Sequence, residues 1–383
     1  MDRSFLLSPE QAELRDRVAD FARSQLAGDM MLRDHEGSFW REGWMRCARF
    51  GIQGLPVPPE YGGSGEGMLS TIAAMEGLGY GCRDNGLVFS LNAQMWSFEM
   101  PVLHFGTEEQ KRRYLPALCS GEVIGVHGMT EPGAGSDPSG ISTRAVRRGD
   151  RYVLNGTKSF ITNGPVADAI LVFATLDPSL GFAGVTGFLL DRETAGLSFS
   201  HAQGKMGLRT SPLGEVILED VEVPAGSRLG AEGAGMAIFN ASMEWERSCI
   251  FASHVGAMER QLEEAVRYAR QRRQFGKPIA KFQSIADRLV EMRVRLDASR
   301  LLVYRVGWLK DQGKSAVPEA AVAKYFVSEA HVRSSLDALQ IHGGYGYMKE
   351  FDVERELRDA VGGTLYSGTS EIQRRLIAAY MGL

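Results

Sequence analysis

A chain of 383 residues, 44% hydrophobic and 23% charged, has room for two or three domains and the composition of a globular protein. A net charge of −4 without long runs of one sign excludes non-specific nucleic-acid binding. No apolar stretch reaches bilayer-spanning length, and four widely spaced cysteines and seven scattered histidines offer neither a disulfide framework nor a metal set. Residues 1–7 carry no secretory or transit pattern, so a cytoplasmic location is expected.

Ser8-Pro9-Glu10-Gln11 predicts a helix start, with Ser8 as cap, Pro9 in the first turn and Gln11 closing a capping box. Leu14, Val18, Phe21, Ala22 and Leu26 then share one helical face. Gly62, Gly63 and Gly65 interrupt the pattern around Tyr61, and helix-compatible sequence resumes near Ser70. A second capping box, Thr107-Glu108-Glu109-Gln110, opens a short helix carrying Tyr114, Leu115 and Leu118. Residues 1–121 are therefore expected to form an N-terminal helical domain.

The texture then changes. Tyr152-Val153-Leu154 and Ser159-Phe160-Ile161 flank Asn155-Gly156, the pattern of a two-residue hairpin. Residues 169–174, 187–190 and 215–221 read as short strands, the last closed by a turn at Pro224-Ala225-Gly226. This predicts a middle β domain, barrel or sandwich, over 122–233. From about Met236 the helical period returns: Ile250, Val255, Met258, Leu262, Ala265 and Ala269 keep it until Gly276 and Pro278. Further helices are expected over about 282–311, from near Pro318 to just before Gly343-Gly344, and around Ile372, Leu376 and Ile377. Residues 234–383 thus predict a C-terminal four-helix bundle, and the whole chain an α+β multidomain fold.

Two regions carry candidate chemistry. In Met129-Thr130-Glu131-Pro132-Gly133-Ala134-Gly135-Ser136-Asp137, Gly133 and Gly135 permit close backbone approach to a ligand, and Thr130 and Ser136 add hydroxyl donors. By composition alone the segment reads first as an ordinary glycine-rich turn. No G-x-G-x-x-G follows a strand, so a Rossmann route to a dinucleotide is not supported. Met243-Glu244-Trp245-Glu246-Arg247 opens the first long C-terminal helix. Glu246 reads as a base or as an acidic first-turn residue, and Glu244 lies about 200° away, so the two cannot face one site.

Five segments, in order and spanning nearly the whole chain, together resemble the acyl-CoA dehydrogenases. They are residues 129–137; Gly156-Thr157-Lys158-Ser159-Phe160-Ile161-Thr162-Asn163; residues 268–283 with Arg272, Phe275, Gly276 and Gln283; Gln340-Ile341-His342-Gly343-Gly344; and residues 366–373. The resemblance implies the three-domain fold, FAD, a homotetramer and α,β-dehydrogenation of an acyl thioester. In that reaction a base removes the α-proton, and the β-carbon gives a hydride to the flavin. An electron-transfer flavoprotein or, less often, oxygen takes the electrons. By position, Met129, Thr130, Ser136, Phe160 and Thr162 border the isoalloxazine ring. Arg272 neutralises pyrophosphate, and Phe275, Gln283, Gln340 and Gly344 meet a cofactor across a subunit interface. Thr369 and Glu371 lie near its phosphate or ribose. Phe160 stands where many members have tryptophan, and Glu371 where some have glutamine.

Where many members carry the catalytic glutamate, this chain has Ser367. A serine hydroxyl is too weak a base to deprotonate carbon unaided. Glu246 resembles the alternative base of the isovaleryl-CoA and long-chain branches, which also have a small residue at the position of Ser367. The backbone N–H of Ser367 still serves as a donor to the thioester oxygen. The substrate side expected from the resemblance is Ser136, Glu244 along the pantetheine arm, Arg247, Tyr366, Ser367 and Gly368. The expected substrate is an acyl-CoA, or an acyl or aminoacyl group on a carrier protein. A flavin oxidase or monooxygenase, or a non-catalytic acyl-thioester binder, remains an alternative on the same fold. Trp96, Phe98 and Met100 read either as pocket floor or as core.

Overall fold

The computed structural model describes residues 5–383, so the first four residues of the N-terminal segment read above lie outside the described residues. Seven helices come first: α1 (Pro9–Gln25), α2 (Met30–Glu36), α3 (Arg41–Phe50), α4 (Met68–Gly81), α5 (Asn85–Gln94), α6 (Met100–Phe105) and α7 (Glu108–Cys119). Both capping boxes form, Ser8 with Gln11 on α1 and Thr107 with Gln110 on α7. Val18, Ala22 and Leu26 turn into the core, as their spacing predicts. Between α5 and α6 the chain makes one π-helical turn, Met95–Glu99. Trp96, Phe98 and Met100 are fully buried there and belong to the core.

The middle of the chain is a mixed eight-stranded sheet. Its strands are β1 (Gly125–Gly128), β2 (Arg144–Arg148), β3 (Arg151–Thr162), β4 (Ala169–Thr175), β5 (Val185–Asp191), β6 (Leu197–Phe199), β7 (Leu213–Pro224) and β8 (Arg228–Leu229). The order is β6-β7-β3-β2-β4-β5-β8, with β1 parallel to β4. The expected hairpin at Asn155-Gly156 is corrected. The tight turn lies at Gly149 and Asp150, where Arg148 pairs with Arg151, and β3 runs on unbroken past Asn155. Asn155-Gly156 is instead a β-bulge, where the register of β3 against β7 slips. Gly156 has φ 153°, and a Cβ there would lie 2.4 Å from Thr143 Oγ1, so the position excludes any side chain. Asn155 spends its amide on β7, donating from Nδ2 to Asp220 Oδ1 at 3.0 Å and accepting from Asp220 N–H at 2.8 Å.

The C-terminal part holds α8 (Gly235–Gln271), a short ribbon β9 (Arg273–Gln274) and β10 (Lys277–Pro278), α9 (Gln283–Asp311), α10 (Val317–His342), α11 (Val353–Gly362) and α12 (Ser370–Tyr380). α8, α9 and α10 match the predicted long helices; α11 has no counterpart in the sequence reading. Its inward face is ionic, with Arg355, Glu356 and Asp359 all buried. Arg355 Nη1 meets Asp359 at 2.8 Å, and Arg260 Nη2 on α8 meets Glu356 at 2.9 Å.

Two features fix the rotation of α8, and so the direction of Glu246. α4 packs backbone to backbone against it: a Cβ on Gly79 would lie 2.0 Å from Ser253 O, and one on Gly256 2.1 Å from Glu76 O. A buried ion cluster lies at the same junction. Glu76 on α4 takes Arg15 Nε at 3.0 Å and Arg300 Nε at 3.1 Å, and Glu259 on α8 takes Arg300 Nη2 at 3.0 Å. With charges from α1, α4, α8 and α9 mutually satisfied and out of water, turning α8 would leave a buried charge unpaired.

Candidate active site

Glu246 stands about three turns into α8 and is half-buried. Its carboxylate is held from both sides. Ser97 Oγ donates to Oε2 at 2.6 Å, and Ser367 Oγ donates to Oε1 at 2.5 Å. Ser97 comes from the π-helical turn and Ser367 from the loop before α12. Trp96 stacks on Trp245, with centroids 5.8 Å apart and planes 13° off parallel, so the residues preceding each partner register the two segments. Sequence reasoning passed over Ser97; its only signal was one hydroxyl within the apolar run Met95-Trp96-Ser97-Phe98.

The Ser367 loop is strained and braced. Ser367 has φ 56° and Gly368 φ 86°. Arg247 Nε donates to Ser367 O at 3.2 Å, and Gln373 Nε2 donates to the same oxygen at 3.0 Å and to Gly368 O at 3.1 Å. Burial lowers the Arg247 guanidinium from its ordinary value, against the charges of Glu246, Tyr380 and Glu244. Tyr366 forms the adjoining wall, its ring 4.6 Å from Phe89. The Tyr366 hydroxyl meets His254 Nε2 at 2.6 Å, and His254 Nδ1 meets His331 Nδ1 at 2.9 Å. Burial pushes His254 well below its usual range, helped by His331 and Lys324, and pushes His331 to about 4, so both rings are neutral at pH 7. Burial, then the charges of Glu246 and Asp359, raise the Tyr366 phenol. Beside this wall is a cavity of about 20 Å³, bordered by Phe89, Leu208, Ile250, His254 and Asp359, which has room for about one water.

Glu244 does not join this group. Its carboxylate takes Lys310 Nζ at 2.9 Å and Ala316 N–H at 3.1 Å, fastening α8 to the α9–α10 connection. Each oxygen is engaged once, so Glu244 ties α8 to the end of α9 and the α9–α10 connection.

The residues expected on the cofactor side form a second group. Ser159 N–H donates to Thr130 O at 2.9 Å, and Lys158 Nζ donates to Met129 O at 3.2 Å, pinning the glycine-rich turn to β3. Lys158 also pairs with Glu131 at 2.7 Å, and Glu131 accepts Ser142 N–H at 2.6 Å and Thr143 N–H at 3.0 Å. Burial opposes the Glu131 charge, but Lys158 and these donors outweigh it and hold the carboxyl at about 2. Beyond this anchor Gly133, Gly135 and Ser136 are exposed, with open space where the glycines would carry a Cβ. Phe160 is 65% exposed on a strained backbone with φ 58°, and Thr162 is half-buried at the end of β3. Asn163 Nδ2 donates to Ser90 O at 3.0 Å, next to Phe89 and so to the Tyr366 wall. An exposed aromatic plane, a Cβ-free approach and the Thr130 hydroxyl fit the isoalloxazine of FAD.

A third group lies past the far end of α8. A cavity of about 600 Å³ is bordered by Arg272, Phe275, Phe282, Ile341, Gly343 and Gly344. Arg272 sits 5.4 Å over the Tyr345 ring, and Phe275 is 92% exposed. Gln340 and Gln283 are exposed and outside that lining; Gln283 bonds Asp287 at 2.6 Å. Thr369 caps α12, accepting Ile372 N–H at 3.3 Å, and Glu371 is exposed, 3.5 Å from Arg374. Backbone N–H and the Thr369 hydroxyl lower the Glu371 carboxyl. All four cysteines are buried thiols. Among the described residues no His/Cys/Asp/Glu group could hold a metal, and no helix is long and apolar enough to cross a membrane.

Sequence models of the acyl-CoA dehydrogenase N-terminal, middle and C-terminal domains match residues 8–122, 127–221 and 233–382. The L-prolyl-[peptidyl-carrier protein] dehydrogenase of Pseudomonas fluorescens is 45% identical over 367 residues, 96% of each chain. The crystal structure of the prolyl acyl carrier protein oxidase AnaB is 50% identical, covers 98% of this chain and 100% of its own, and superposes with a TM-score of 0.97. The structure of PigA with FAD and proline is 39% identical, covers all of both chains and also has a TM-score of 0.97. The chain belongs to the acyl-CoA dehydrogenase family, FAD-dependent oxidoreductases that introduce a double bond beside the carbonyl of an acyl thioester.

Proposed function

We propose that the chain dehydrogenates a prolyl group presented as a thioester on a carrier protein, with Glu246 as the base. The observation that carries this reading is the Glu246 carboxylate on α8, held between the Ser97 and Ser367 hydroxyls. Trp96, Phe98 and Met100, on either side of Ser97, are buried in the core. The similarity to carrier-linked prolyl dehydrogenases supports the same substrate.

FAD, when bound, supplies the acceptor for the β-hydride. The chain's residues do the rest. Glu246 takes the α-proton, its two oxygens aimed by Ser97 and Ser367. Arg247 and Gln373 brace the strained loop so that the backbone N–H of Ser367 meets the charge developing on the thioester oxygen. Phe160 covers the flavin site from water.

The same reading includes a homotetramer that works in the cytoplasm and passes electrons to an electron-transfer flavoprotein. Arg272 lies 26 residues beyond Glu246 along α8, ~39 Å at 1.5 Å per residue. That exceeds one extended dinucleotide, so Arg272, Phe275 and Gly344 serve the cofactor of another copy.

The substrate is tested by anaerobic mixing of the yellow protein with prolyl-loaded carrier protein and with a panel of saturated acyl-CoAs, following flavin absorbance. Prolyl carrier is expected to bleach the flavin at least about tenfold faster than any acyl-CoA. Fast bleaching by an acyl-CoA with none by prolyl carrier would reject the reading.

A further inference from the structure

We infer that the hydroxyls of Ser97 and Ser367 form a recognition site for the substrate's α-amine and make the enzyme selective for α-amino acyl groups over plain acyl groups. The inference rests on the prolyl reading and names what in the chain enforces it. The amine of a prolyl thioester is bonded to the carbon whose proton goes to Glu246. The groups holding the Glu246 carboxylate are therefore the groups that meet the amine.

Both are hydroxyls, at 2.6 and 2.5 Å from the two carboxylate oxygens. A serine hydroxyl has one donor and two acceptor lone pairs. Each donor is spent on Glu246, which leaves acceptor capacity for a substrate N–H. Of the other polar groups nearby, Trp96 Nε1 and Arg247 are donors only and cannot accept a substrate N–H. The Tyr366 hydroxyl is on His254, Trp96 Nε1 donates to Asn92 Oδ1 at 2.6 Å, Arg247 is on Ser367 O, and Glu244 is on Lys310. The chain N–H to hydroxyl to carboxylate places the amine without setting its N–H on the oxygen that must take the α-proton. A plain acyl group leaves those lone pairs facing carbon, and a site built to hydrogen-bond a group discriminates against the analogue that lacks it.

The test compares prolyl carrier with cyclopentanecarbonyl carrier, the same ring with a methylene in place of the amine, by anaerobic flavin reduction. Wild type, Ser97→Ala, Ser97→Thr and Ser367→Ala are used, each checked for bound FAD and melting temperature. Both Ala variants are expected to slow both substrates, because the carboxylate loses a bond. They should slow prolyl by at least about tenfold more, so that the preference of the wild type collapses, while Ser97→Thr keeps it. An unchanged ratio in both Ala variants would overturn the inference, leaving the hydroxyls as supports for Glu246 alone. Wild type that bleaches with cyclopentanecarbonyl but not with prolyl carrier would overturn the substrate reading and the inference with it.

Discussion

Glu131 is the residue through which the glycine-rich turn is joined to the sheet, and its charge makes that joint depend on pH. Glu131→Gln leaves the Lys158 ammonium buried without its partner, a loss of ~3–5 kcal/mol at neutral pH. The folded carboxyl sits at about 2, below the ~4.3 of an unfolded glutamate. A depressed acid contributes stability that is complete above the unfolded value and disappears as pH falls through the folded one. The gap between wild type and Glu131→Gln in urea midpoint is therefore expected to be widest at pH 6–7 and to close between about pH 4.3 and 2. A gap that stays constant on acidification contradicts the pairing. The meeting of Glu246 with Ser367 was legible at this scale, because a carboxylate was missing in one place and available in another. Ser97 was not, since its direction depends on one π-helical turn that periodic reading does not register.

Among elements, the long rods were the most legible. α8, α9 and α10 bury enough apolar surface to impose a helical period on the sequence. α11 escaped because its buried face is Arg355, Glu356 and Asp359, a pattern that reads as solvent surface until its partners Arg260 and Asn85 are brought in from elsewhere. β3 shows the opposite failure. Asn155-Gly156 carries the chemistry of a two-residue turn, yet that chemistry serves a bulge: the glycine lets Thr143 approach, and the asparagine bonds across to Asp220. Local sequence specified a special backbone there, and only strand pairing decided which kind. The bulge lies four residues before Phe160 on the strand that carries the cofactor-side residues, so the misread position sits beside the site.

For the whole molecule, the proposed function has each cofactor site shared between copies, with Glu246 and Arg272 near opposite parts of α8 serving different sites. Co-expressing Glu246→Gln with Arg272→Glu tests this. Each variant alone is expected to be inactive, one for want of a base and the other for want of a pyrophosphate partner. Mixed assemblies should regain part of the wild-type rate, because an intact Glu246 in one copy meets an intact Arg272 from the other. Activity no greater than that of the two variants measured apart would place both residues in one chain's own site. The role of Glu246 itself is tested most directly by Glu246→Gln, purified yellow and mixed anaerobically with prolyl-loaded carrier protein. The account predicts unchanged FAD content and flavin bleaching slowed by ~10²–10⁴-fold. Bleaching at the wild-type rate would contradict it.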